Sequence, residues 1–163
     1  MLLWIAVGPL MANAQQRTLI PQPLQLDWKE GQFVIDASTT IAYDKTNNDL
    51  ATAAALLTEH IKSVSGINII HSNSGKKTIQ LQLREFAVLE KEGYQMEVSP
   101  SSIRITAQSR QGIVYALQTL IQLLPAVRTN EVLTVPALYI NDVPSLPWRG
   151  ILLDVCRHYF SPE

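Results

Sequence analysis

The chain has 163 residues, 47% of them apolar and 17% charged, with a formal net charge of −1. Such a composition buries a core and excludes a disordered chain, and without a basic cluster it argues against a nucleic-acid partner. One cysteine, Cys156, rules out an internal disulfide framework, and the histidines His60, His71 and His158 lack metal-ligand spacing, so neither metal nor cofactor is expected.

Leu2 to Met11 is apolar, and Ala12-Asn13-Ala14 has the small-x-small form of a cleavage site. Residues 1–14 therefore read as a secretory signal, although no Lys or Arg precedes the apolar run. The run is too short to span a bilayer, and no cysteine follows it to carry a lipid. The expectation is export, to a periplasm or outside the cell, with no stable membrane anchor.

Ile20-Pro21-Gln22-Pro23 is an extended entry. Leu24, Leu26 and Trp28 alternate with polar residues as a half-buried strand does, Glu30-Gly31 reads as a turn, and Phe33–Ile35 and Ile41–Tyr43 are further strands. Asn47 or Asn48 can cap a helix whose stripe is Leu50, Ala54, Leu57, Ile61 and Val64, with Gly66 ending it. Strands follow from Ile67 and from Ile79 to Leu83. Tyr94–Val98 and Ile103–Ala107 form a hairpin. Ser109 caps a second helix with the stripe Ile113, Ala116, Leu117, Leu120 and Leu124, closed by Pro125, and Gly112 in its first turn allows close packing on the sheet. Val132 to Ile140 is a strand that Pro136 places at an edge, and residues 141–144 read as a linker. The order predicts an α+β layer, a mixed and largely antiparallel sheet with both helices on one face. No phosphate loop, dinucleotide fingerprint or G-x-S-x-G appears.

After the linker, Pro147-Trp148-Arg149-Gly150 leads into the apolar run Ile151 to Leu153, which ends in Asp154, Arg157, His158, Tyr159 and Phe160. By itself this is a buried strand with charge at both ends. Asp154 paired to Arg149 or Arg157 would pin it, or the charges would serve a site. Cys156 within it reads as an inert, buried thiol. The stretch from Pro144 to Phe160 resembles the opening strand of the catalytic barrel in family 20 glycoside hydrolases, the β-N-acetylhexosaminidases. The entry at Ile20 and the hairpin and helix from Glu92 to Leu124 resemble the accessory domain of the same family.

The resemblance implies an accessory domain over 17–141 and the first strand of a (β/α)8 barrel over 145–163. It implies removal of terminal N-acetylglucosamine or N-acetylgalactosamine from glycans, with retention. In the family the sugar's own acetamido oxygen attacks the anomeric carbon, an Asp orients that amide, and an adjacent Glu protonates the leaving oxygen. Arg149 matches the family arginine that grips sugar hydroxyls, which suits its forked donors, and Asp154, Arg157 and His158 match positions of a supporting shell. These 163 residues contain no Asp-Glu dipeptide, so they read as the N-terminal part of such an enzyme and as inactive alone. The other reading is a carbohydrate-binding or structural module, with Trp28, Tyr43 or Tyr94 as stacking candidates.

Overall fold

The computed structural model describes residues 18–84, 91–128, 132–146, 148 and 150. Seven strands and two helices follow one another as β1 (Gln25–Ile35), β2 (Thr39–Ala42), α1 (Asn48–Ser65), β3 (Ile70–His71), β4 (Lys77–Leu83), β5 (Tyr94–Val98), β6 (Ser102–Ala107), α2 (Arg110–Gln122) and β7 (Leu133–Asp142). One sheet contains all seven strands in the order β1-β7-β5-β6-β4-β2-β3. The α+β layer is therefore the observed architecture. Its β1/β7, β7/β5 and β5/β6 pairs are antiparallel, while β6/β4, β4/β2 and β2/β3 are parallel. The parallel half arises because each helix returns the chain to a strand running the same way.

Both helices cover one face of the sheet, and alternation decides which side chains meet them. Ile79 and Leu81 of β4, Tyr94, Met96 and Val98 of β5, and Ile103, Ile105 and Ala107 of β6 turn inward and are buried. They pack with Leu50, Ala54, Leu57, Ile61 and Val64 of α1 and Ile113, Ala116, Leu117 and Leu120 of α2 in one core. Those are the stripes that helical spacing predicts.

The helix ends follow their residue chemistry. Asn47 Oδ1 accepts from the backbone N–H groups of Asp49 (3.0 Å) and Leu50 (3.1 Å), a cap contributing about 1 kcal/mol. Gly66 adopts φ 77°, the left-handed conformation that closes α1 through its N–H to Lys62 O. Ser109 Oγ accepts from Gly112 N at the start of α2.

Three expectations need correcting. Glu30-Gly31 does not turn the chain, because Gly31, at φ 96°, lies in an irregularity between Trp28 and Gln32 and β1 continues along β7 on both sides of it. The strand after α1 is only Ile70–His71. β7 is an interior strand that runs through Asn141 and Asp142, yet at Pro136 it has a partner only on the β1 side, since β5 pairing stops at Leu138. The proline thus sits at a local edge, where its missing donor costs little.

Asp36, in the turn between β1 and β2, carries the clearest charge effect. Its carboxylate receives the Lys77 ammonium and both the hydroxyl and backbone N–H of Ser38. Hydrogen bonding from Lys77, then from Ser38, lowers its pKa from 3.8 to about 2. A depressed carboxyl stabilises the fold above its unfolded value and stops doing so as pH falls through the folded one. Asp36→Asn should therefore unfold at lower urea than the parent well above pH 3.8, and the two midpoints should converge as pH approaches about 2. Curves that stay parallel throughout would show that the Lys77 pair contributes nothing, as exposed pairs often do.

Candidate functional site

Arg149, Asp154, Arg157 and His158, the residues matched to sugar chemistry, lie outside the described residues, as do Cys156 and the segment read as a signal. The aromatic candidates lie within them and are differently used. Tyr94 is 1% exposed, and its hydroxyl meets Thr119 Oγ1 at 2.7 Å. Burial pushes its pKa up, so the phenol keeps its proton. Trp28 and Tyr43 are half-buried and lean on the core. The three form no exposed stacking platform.

Tyr43 is instead tied to His71. Its hydroxyl lies 3.2 Å from His71 Nδ1, with the rings edge to face at 5.5 Å. Thr58 Oγ1 lies 2.8 Å from His71 Nε2 and donates its own hydrogen to Ala54 O, also at 2.8 Å. Thr58 must then accept from Nε2–H, which leaves Nδ1 of the neutral ring to accept from Tyr43. With both nitrogens committed, His71 staples edge strand β3 to α1 and has no free nitrogen for catalysis. Among the described residues no group of His, Cys, Asp or Glu is placed to hold a metal, and no helix is long and apolar enough to cross a membrane.

Three depressions remain. A crevice of about 520 Å³ opens at the C-terminal ends of β2 and β4, lined by Tyr43, Asp44, Asn47, Asn73, Gln82 and Arg84 among others. A shallow trough of about 380 Å³ crosses the helix-free face of the sheet and shares Gln80, Gln82 and Arg84 with the crevice. Its other walls are Gln95, Glu97, Arg104, Thr106 and Tyr139. The third is an apolar cleft of about 490 Å³ between α2 and the end of β7, lined by Pro21, Tyr115, Asp142 and Pro144.

In the trough Glu97 holds two cations, Lys29 Nζ at 3.4 Å and Arg104 Nη1 at 3.3 Å, and Arg104 Nε donates to Gln80 Oε1 at 3.4 Å. Lys29 Nζ also stands 5.7 Å from the centre of the Tyr139 ring. These groups are half-exposed, so the pairs organise the surface more than they stabilise it. Sequence reasoning passed over this face, although the signal was present: Gln80, Gln82, Gln95, Glu97, Arg104 and Thr106 are the outward partners of the buried alternation.

The fold and its surroundings can now be compared with known proteins. Residues 16–143 match the family model for glycosyl hydrolase family 20, domain 2. The chain belongs to glycoside hydrolase family 20. It is similar to the β-hexosaminidase of Porphyromonas gingivalis, 34% identical over 153 residues that cover 89% of this chain and 19% of that protein. It is similar also to the β-N-acetylhexosaminidase of Cellulomonas fimi, 32% identical over 149 residues, 89% of this chain and 30% of that one. The solved family 20 β-N-acetylhexosaminidase of Streptomyces coelicolor superposes with a TM-score of 0.78 at 28% identity, over 86% of this chain and 29% of its own. A mutant β-hexosaminidase of Streptomyces plicatus, TM-score 0.76 at 28% identity over 87% of this chain and 29% of its own, was solved with the product N-acetylglucosamine. This family 20 chain thus spans less than a third of the length of each of these relatives.

Proposed function

We propose that these residues are the N-terminal part of an exported β-N-acetylhexosaminidase, which removes terminal N-acetylhexosamine from glycans by substrate-assisted, retaining hydrolysis. The family match over 16–143 carries the reading, with two-layer folds like this one in hexosaminidases of known structure. The described residues contribute the accessory layer. Arg149 is assigned to the hydroxyls of the terminal sugar, where a planar, always-charged fork suits paired acceptors, and Asp154, Arg157 and His158 support it. The acid that protonates the leaving oxygen belongs to an adjacent Asp-Glu pair, which these 163 residues lack. Export rests on the apolar run before Ala12-Asn13-Ala14.

The test has two arms. The 163-residue chain should release no measurable aryl alcohol from an aryl N-acetylglucosaminide, because loss of a general acid alone removes about 10²- to 10⁴-fold of rate. In a longer chain that carries the pair, Arg149→Ala should raise KM and lower kcat/KM about 10- to 100-fold, as expected when charged donors to substrate hydroxyls are removed. Hydrolysis by the 163-residue chain would sink the first statement, and unchanged kinetics of Arg149→Ala the second. A mature N terminus at Gln15 checks export, and retention of Met1 in a secreting host would oppose it.

A further inference from the structure

The helix-free face of the sheet carries a row of side chains that no part of the proposed reaction uses. Cross-strand register sets Gln82 of β4 against Thr106 of β6, Thr106 against Gln95 of β5, Gln95 against Asn141 of β7, and Asn141 against Gln25 of β1. Five neighbouring strands thus each present one uncharged polar side chain, and four of the five are carboxamides. Neighbouring strands lie about 4.8 Å apart, so the row runs roughly 19 Å with one hydrogen-bonding group per step. That step is close to the length of one β-linked pyranose, and the row is about four sugars long.

The hydrogen-bonding state of the row is incomplete. Gln82 and Gln95 make no side-chain hydrogen bond to another described residue, and Asn141 Oδ1 is enclosed with no donor to it. Gln25 spends its Nε2 on Asp27 at 2.7 Å, which leaves its oxygen available. Each carboxamide offers both donors and an acceptor, the combination that an acetamido group flanked by hydroxyls requires. Charge complementarity points the same way. Beside the row, Glu97 is shared by Lys29 and Arg104, so the trough offers a polyanion or a polycation no extended patch of opposite sign. A neutral ligand fits a compensated surface.

We infer that this row is a binding platform for one neutral, extended, β-linked N-acetylhexosamine chain, laid across the strands with about one residue per strand. The choice of N-acetylhexosamine rests on the family reading above; the neutral, extended, hydrogen-bonding character of the ligand rests on the row itself. The platform stands apart from any barrel site, so it would hold a glycan strand while another part of the enzyme trims a chain end. An open surface with a handful of hydrogen bonds binds weakly, with Kd on the order of 1 mM.

The experiment is a titration of the ¹⁵N-labelled 163-residue chain with N-acetylated chitotetraose and separately with cellotetraose, read on the side-chain NH₂ resonances of Gln25, Gln82, Gln95 and Asn141. Saturable shifts of these resonances with chitotetraose are expected. Gln82→Ala with Gln95→Ala should weaken binding about fivefold or more, since each lost hydrogen bond contributes ~1 kcal/mol. Surface changes of this kind leave stability within about 0.5 kcal/mol, so backbone resonances elsewhere should keep their positions. Absence of shifts, or shifts confined to the helix face, would overturn the platform. Equal binding of cellotetraose would overturn recognition of the acetamido group. The family reading is judged apart from this, by aryl glycoside hydrolysis in a chain that carries the Asp-Glu pair.

Discussion

Gly112→Ala should lower the urea midpoint of unfolding, although glycine to alanine inside a helix ordinarily stabilises by about 1 kcal/mol. The reason is the seat of α2 on the β5–β6 hairpin. A Cβ at position 112 would stand 2.5 Å from the backbone oxygen of Gly93, 2.9 Å from Ala107 Cβ and 3.3 Å from the backbone oxygen of Glu92. Two of those atoms belong to the main chain and cannot rotate away, and Ala107 is buried in the sheet. The helix must lift from the hairpin or the hairpin entry must shift, which loosens Ile113 and Ala116 from their contacts. Overpacking of this kind costs ~1–3 kcal/mol, so a net loss of about 1–2 kcal/mol is expected for alanine and more for valine. An unchanged or raised midpoint for alanine would mean that the chain around Gly93 yields freely.

Tyr94→Ala should cost more still, about 3–5 kcal/mol, as for other large aromatics cut from a core. Tyr94 starts β5, fills the space beneath α2 and is among the largest fully buried side chains. Its hydroxyl adds a second, separable contribution. Thr119 donates its own hydrogen to Tyr115 O at 3.1 Å, so it accepts the Tyr94 hydroxyl hydrogen at 2.7 Å. Tyr94→Phe keeps the ring and removes that bond, which should cost about 1 kcal/mol. Chemical denaturation of the two variants separates ring from hydroxyl. Equal losses would mean that the hydrogen bond, not the packing, holds α2 to β5. The same measurement bears on function, because a Tyr94 that stacked on sugar would be replaceable by alanine at little cost in stability.

Much of the layer was legible because its signals are local. The stripe from Leu50 to Val64, the cap at Asn47, the left-handed stop at Gly66 and the close approach at Gly112 each rest on side chains a few residues apart. The alternation in β4, β5 and β6 separated the inward residues from the outward ones in the same way. The misreadings share a cause. Glu30-Gly31 has the composition of a turn, but β7 pairs with both halves of β1 and draws the chain straight through an irregularity. Pro136 marks an edge, but only along the few residues where β5 has ended. In both cases a strand distant in sequence decided the outcome. The residues matched to sugar chemistry, Arg149 to His158, lie outside the described residues, so their reading rests on the resemblance and on the family match alone.

By itself the sequence determined the class of layer, the two helices with their buried stripes, and the family, because periodicity, caps and motif spacing are properties of short segments. Tertiary structure alone decided the strand order β1-β7-β5-β6-β4-β2-β3, the parallel half of the sheet and the burial of Tyr94 against Thr119. It also aligned Gln82, Thr106, Gln95, Asn141 and Gln25 in one row. Those five residues come from strands scattered between positions 25 and 141, and only hydrogen-bonded register makes them neighbours.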